Sequence, residues 1–236
     1  MLSSCPMVGR VICQSGTRRH PSSNKVDIFC KPPRVRPEEI AVDNEGWATR
    51  HVVAQMKRTD RDKDWPIVQG LGQQLWERGQ AIGLLHLTEF QSLTEAWLMA
   101  STQEKEQLSR RRPLLHALDA SPPLEKIDFE RLLSIERLIW ERVNQHRQGN
   151  YTRAWKDFYR RWRGEDGWHW PTDEQWWLQH RHLMKAVHQH GLPPNPLAGI
   201  PSEELVSAAL REVVKIAAAT QNELARVLPP VDELLP

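Results

Sequence analysis

The chain has 236 residues, with 32 Lys plus Arg against 30 Asp plus Glu, a net charge of +2. That near-balance excludes a protein held to nucleic acid by overall charge, and no apolar run approaches the ~18 residues needed to cross a bilayer. A hydrophobic share of 39% with a mean hydropathy of −0.61 predicts a polar, helix-rich chain without membrane contact. The N-terminus "MLSSCPMVGRVICQSGTRRH" has no uninterrupted apolar stretch, so no secretory signal is expected. Cys5, Cys13 and Cys30 are odd in number and lack CxxC spacing, which predicts reduced thiols in a cytoplasmic protein.

In chain order, "MVGRVICQ" (7–14) and "KVDIF" (25–29) are short, β-branched and bounded by Ser, Gly and Pro, and predict strands. "CKPPRVRPEE" is extended, since its prolines cannot sit inside a helix. Helical patterns follow. "EGWATRHVVAQMKR" sets Trp47, Val52 or Val53, and Met56 at helical spacing, and "WPIVQGLGQQLWERG" sets Ile67, Leu71 and Leu75 on one face with Gly79 as a stop. "LTEFQSLTEAWLMAS" opens with Thr88 and Gln91 at capping-box spacing and runs Phe90, Leu93 and Trp97 along one face; Ser101 and Glu104 repeat the box.

"SPPLEK" (121–126) marks a boundary, giving an N-terminal part over 1–120 and a helical domain over 121–236. In the latter, Leu132, Ile135, Ile139 and Val143 line one side of a helix capped by Asp128 and stopped by Gly149. "YTRAWKDFYRRWRG" puts Trp155, Phe158, Tyr159 and Trp162 on one helical face and Arg153, Lys156, Arg160 and Arg163 elsewhere around it. Aromatic bulk at that spacing belongs in a core. The basic residues are either a solvated face or a contact for nucleic-acid phosphates or a protein partner. Trp168, Trp170, Trp176 and Trp177 are expected to pack a loop between two helices. His180, His182, His188 and His190 offer no i, i+4 pair, the spacing that aims two imidazoles at one zinc ion. The segment from Ser202 to Leu228 predicts one last helix with acids at its N-terminus, where the helix dipole favours them.

Seven of the eight residues from Lys57 to Asp64 are charged. Physically this reads as a helix end, where a Lys suits the C-terminal partial charge, and a new start, with Asp64 as N-cap and Pro66 in the first turn. Met56-Lys57 followed by Arg61-Asp62-Lys63-Asp64-Trp65, with Val26-Asp27-Ile28 upstream, also resembles the nucleotidyltransferase-like superfamily over about residues 7–100. The resemblance implies a minimal nucleotidyltransferase domain of a bacterial setting, with Mg²⁺ held by three strand carboxylates, Asp27 among them, and with Lys57, Lys63 and Asp64 bracing helices against strands. Two metals there neutralise triphosphate charge and activate the attacking hydroxyl. Asp27 matches the third carboxylate, yet residues 1–26 contain no Asp or Glu; taken instead as the first of a pair, its partner position is Phe29. Either alignment leaves the carboxylate set incomplete, so the chain is a truncated reading frame or a degenerate member kept for binding. The sequence thus predicts a mostly α protein: a small N-terminal α+β part of two or so strands and a C-terminal helical bundle.

Overall fold

The computed structural model of the chain describes residues 9–14, 23–28, 34–59, 61–121, 124–166, 168 and 175–236. The fold is mostly helical. Its helices are α1 (Arg50–Met56), α2 (Trp65–Glu77), α3 (Phe90–Met99), α4 (Thr102–Arg111), α5 (Lys126–Arg163), α6 (Trp176–His190), α7 (Ser202–Ala217), α8 (Gln221–Val227) and α9 (Val231–Leu234). Short 3-10 turns cover Pro37–Glu39, Asp62–Asp64, Ala81–Leu85 and Pro113–Asp119. Two strands, β1 (Gly9–Gln14) and β2 (Ser23–Ile28), pair antiparallel, with Gly9 opposite Ile28 and Arg10 opposite Asp27.

The chain divides into two compact units, one of residues 1–31 and 148–199, the other of 32–147 and 200–236. Each is built from two stretches, so the units do not follow a division at 121; Ser121 and Lys126 belong to the larger one. The single helix α5 contributes to both, running unbroken through Gly149. One glycine costs only about 1 kcal/mol relative to Ala inside a helix, and no proline lies between Lys126 and Arg163 to reinforce a stop. Asp128 lies in the first turn of α5, not at its cap.

The core of the larger unit is mostly aliphatic. Leu93, Ala96 and Trp97 of α3 meet Phe129, Leu132, Ile135, Ile139 and Val143 of α5, with Leu114 and Leu115 from the 113–119 turn and Val206, Ala209 and Val213 from α7. Full burial of each large apolar side chain contributes roughly 1.5–3 kcal/mol. The periodicity of α3 and α5 therefore reads correctly. In α2 it does not: Trp65, Val68, Gly72 and Leu75 face inward, while Ile67 is 44% exposed. The cause is a close approach at Gly72, where a Cβ would stand 2.9 Å from the His86 Cβ and 3.0 Å from the Leu87 nitrogen. A helix laid that closely on its neighbour turns its glycine inward.

Three local signals are also resolved differently. Trp47 lies outside α1 and is exposed, because the Asp43 carboxylate accepts from the Glu45 and Trp47 amides at 3.0 and 2.9 Å and closes a turn. Thr88 does not cap α3, whose N-cap is Glu89; its amide and hydroxyl both donate to Oε1 of the buried Gln69. The final helix breaks after Ala217, where Ala218 adopts φ +47°, and restarts at Thr220, whose hydroxyl and Glu223 form a reciprocal capping box. Ser101 and Glu104 form the other box, as their spacing predicts.

The smaller unit is built on aromatics. Phe158, Trp162, Ala186 and Val187 are buried, with Trp155, Tyr159 and Trp168 packed around them. Phe158 and Trp162 stand 5.7 Å apart, and Trp168 meets Tyr159 and Trp162 edge-on at 5.7 and 5.9 Å, geometries that suit ring quadrupoles. Gly191 at φ +63° ends α6, and Arg161 donates to the His190 and Gly191 carbonyls at 2.9 and 3.3 Å, fastening α5 to that end. Trp177 is 43% exposed and so does not pack the connecting loop; Trp170 and the Trp176 side chain lie outside the described residues.

Candidate functional site

Part of the charge cluster at 57–64 closes on Asp64, while Arg58 and Asp62 are engaged by Trp140, His86 and Arg137. Lys57 is the C-cap of α1, its amide bonded to the Val53 and Ala54 carbonyls at 3.0 and 3.2 Å. Asp64 precedes α2 but makes no side-chain cap. Its buried carboxylate turns back and accepts from the Thr59 hydroxyl at 2.6 Å and from Arg61 Nε at 2.8 Å, with Arg61 Nη2 at 2.6 Å and Lys57 Nζ at 3.8 Å. Burial alone would raise the Asp64 pKa; the Thr59 and Arg61 hydrogen bonds and the Arg61 and Lys57 charges outweigh it and hold the carboxyl below its ordinary value. Two cations on one buried anion satisfy it better than free amides at a helix start, which is why the expected N-cap does not form. Lys63 stays exposed. Asp27 occupies β2 opposite Arg10, and its side chain lies outside the described residues. Asp27 belongs to one unit and Lys57, Lys63 and Asp64 to the other. Among the described residues no group of three or more His, Cys, Asp or Glu side chains is placed to hold a metal ion.

The C-terminal part of α5 places Arg153, Lys156, Arg160 and Arg163 at i, i+3, i+7 and i+10, and all four are exposed. At about 100° per residue they fall within one narrow sector, and at about 1.5 Å rise they span about 15 Å. The opposite side carries Phe158 and Trp162, which anchor the helix and fix the orientation of the basic row. Acid partners on this row are peripheral: Asp157 approaches Arg160 at 3.4 Å in an exposed pair, worth little in water. Arg163 lies over the Trp168 ring at 6.0 Å.

A third assembly, invisible to motif reading, lies inside the larger unit. Arg112 is buried with every guanidinium nitrogen engaged, Nε and Nη2 on the two Glu136 oxygens at 2.8 and 2.6 Å and Nη1 on the Leu84 and Leu87 carbonyls at 2.8 and 2.6 Å. Glu39 accepts from Gln55 at 2.5 Å and pairs with Arg111 at 2.6 Å, and Arg111 in turn holds Glu233 at 2.5 Å. Burial would raise the Glu39 pKa, but His51, Arg111 and Gln55 together hold it well below the carboxylate range. Arg58 stacks on the Trp140 ring at 4.7 Å and donates to the Leu85 carbonyl and to His86. Burial and the neighbouring Arg112 charge push Arg58 down to about 10, so it remains a cation at neutral pH.

A recess of about 570 Å³ opens beside this network between Trp65, Phe90, Leu133, Lys126, Arg137 and the Arg112–Glu136 pair. Its buried ionic groups are spent on one another and on backbone carbonyls, and its rim mixes Glu89 and Glu130 with Lys126 and Arg137. It therefore selects no charge class of ligand. No family model, curated protein or solved structure matches this chain.

Proposed function

We propose that the chain is a non-enzymatic helical binding protein whose basic row, Arg153, Lys156, Arg160 and Arg163, contacts the phosphate backbone of nucleic acid. The observation carrying this reading is the two-sided use of α5: its aromatics are buried and its four cations are exposed in register on one face. Cations at three- and four-residue spacing on a rigid helix meet successive phosphates without rearranging, and binding releases counterions. Phosphate contacts carry no sequence information, so the expected affinity is general for sequence. The test is fluorescence anisotropy with a labelled single-stranded RNA and a duplex DNA across a salt series. Binding is expected to weaken with a log–log slope of about −3 to −4, as four phosphate contacts give. Replacing all four residues with Gln should flatten that slope while leaving the helical circular dichroism unchanged. Absence of binding at low salt, or an unaltered affinity in the variant, rejects the reading; an affinity for a protein partner alone does the same.

A second reading concerns ancestry. The position of Asp27 on a paired strand favours descent from a nucleotidyltransferase-like domain. In it Asp27 is a surviving metal-side carboxylate for Mg²⁺, and the chain alone transfers no nucleotide. Genomic sequence upstream of the Met1 codon tests it: an in-frame Gly-Ser turn followed by Asp-x-Asp supports a complete enzyme, and an immediate stop rejects an enzyme at this gene.

A further inference from the structure

Inside the larger unit four polar groups stand in a row that admits one arrangement of protons. Arg58 is a donor only, and its Nη2 lies 3.0 Å from His86 Nδ1. That nitrogen must accept, which places the single ring hydrogen of a neutral His86 on Nε2. His86 Nε2 stands 2.8 Å from His51 Nδ1, so this nitrogen accepts in turn and His51 carries its hydrogen on Nε2. His51 Nε2 faces the Glu39 carboxylate, 3.2 Å from Oε2. Two imidazoles thus hold two hydrogens between a cationic donor, Arg58, and a carboxylate 3.2 Å away, Glu39.

We infer that this row is an acid-sensitive lock: a third proton on the His51–His86 pair breaks a contact that ties α1 to the segment following the Ala81–Leu85 turn. A proton placed on His86 Nδ1 sets an N–H against the Arg58 guanidinium. One placed on His51 Nδ1 meets the N–H of His86 Nε2. Shifting that hydrogen across the His86 ring only moves the conflict to Arg58. Every placement leaves two donors facing each other, and in a buried site an unmade hydrogen bond is not replaced by water.

The groups around His86 reinforce this. Arg58 faces it from the end of α1, His51 from α1 itself, and Arg111 and Arg112 act from the end of α4. Of the anions nearby, Glu136 of α5 is committed to Arg112 and Glu233 of α9 to Arg111 and Arg36, while Glu39, which ends the row at His51, is shared with Arg111 and Gln55. Burial first, then the Arg58 charge, holds the His86 pKa well below its ordinary value. Unfolded, His86 takes up a proton near pH ~6.5; folded, it does not. The unfolded state therefore binds more protons below that pH. The stabilisation is complete above ~6.5 and drains away as pH falls toward the native pKa.

The lock is tested on the full chain by two measurements. Long-range ¹H–¹⁵N spectra of the histidine rings at pH 7.5 should show both His51 and His86 protonated on Nε2 and bare on Nδ1. Urea unfolding between pH 6.5 and 5.0 should then be compared with His86→Asn, whose side-chain oxygen can still accept from Arg58 but which cannot titrate. The wild-type unfolding constant is expected to rise roughly tenfold per pH unit more steeply than that of the variant. A hydrogen on Nδ1 of either ring, or parallel pH profiles, overturns the proposal. Should H86N not fold, the ring spectra decide alone: a His86 ring that becomes doubly protonated above pH 6 in the native protein overturns it equally.

Discussion

The two units treat charge in opposite ways. In the larger, Arg58, Arg112, Glu136 and Glu233 are buried, and their hydrogen-bonding capacity is spent inside. In the smaller, the interior is Phe158, Trp162 and their aromatic neighbours, while Arg153, Lys156, Arg160 and Arg163 remain at the surface. The difference follows from what each core must join. The larger unit gathers helix ends and 3-10 turns, whose unpaired carbonyls at Leu84, Leu85 and Leu87 need donors, and Arg supplies several from one side chain. The smaller unit packs the sides of two helices, α5 and α6, whose backbone groups are already paired, so rings suffice and cations are left outside. A buried cation here marks a structural joint. An exposed row marks a surface available to a ligand.

The largest expected effect comes from breaking a joint. Glu136→Ala leaves the Arg112 guanidinium buried with no counter-charge and should cost about 3–5 kcal/mol in urea unfolding. Asp157→Ala, which removes the exposed partner of Arg160, should leave stability unchanged within error. The simultaneous change of Arg112 to Met and Glu136 to Leu should recover much of the Glu136→Ala loss, because a packed apolar pair needs no compensation. Equal costs for the Glu136 and Asp157 variants would erase the distinction between the units.

Gly72→Ala probes the same joint sterically. The new Cβ would meet the His86 Cβ and the His86–Leu87 backbone at 2.9–3.0 Å, and the opposing Gly83 lies as close to α2, its added Cβ 2.5 Å from the Gly72 carbonyl. Neither contact is the free end of a flexible side chain. The variant should lose about 1–3 kcal/mol and perturb the His86 ring signals, whereas Gly149→Ala, which points into open space, should be neutral or slightly stabilising. An unperturbed His86 in Gly72→Ala would mean that α2 is held less tightly than the geometry implies.

Much of this was legible in residue pattern. The apolar faces of α3 and of the first part of α5, the aromatic face at 155–162 and the Ser101 box each rest on local spacing, which survives into the fold. What escaped depends on groups distant in sequence. The inward face of α2 is set by contact between Gly72 and His86, and no periodicity within α2 announces it. Gln69 takes Thr88 away from its helix for the same reason. The buried network brings Glu39, His51, Arg58, His86, Arg112 and Glu136 together from six places in the chain, and each alone reads as an ordinary surface residue. Asp64 illustrates the converse: its place before a helix was visible, but the Thr59 and Arg61 side chains that reorient its carboxylate act through the fold of the loop.

The break between α7 and α8 did have a local signal. Thr220-Gln221-Asn222-Glu223 is a capping box lying inside an otherwise continuous helical pattern, where apolar spacing argues for continuation and the box for a new start. The fold resolves the conflict because Glu223 is also bound from outside. Its carboxylate accepts from Arg131 Nε of α5 at 2.5 Å as well as from the Thr220 amide and hydroxyl at 2.8 and 2.9 Å. The Arg131 hydrogen bond, with those from Thr220, brings its pKa down to about 2. Thr220→Ala removes the hydroxyl that accepts from the Glu223 amide but leaves Arg131 in place, so the loss should be that of a cap, about 1 kcal/mol, the smallest of the losses expected here. Amide exchange locates it: faster exchange confined to α8 marks a local restart signal. If the residues around Ala218 instead gain protection as α7 and α8 fuse, then Thr220, and not Arg131, is what divides the helices.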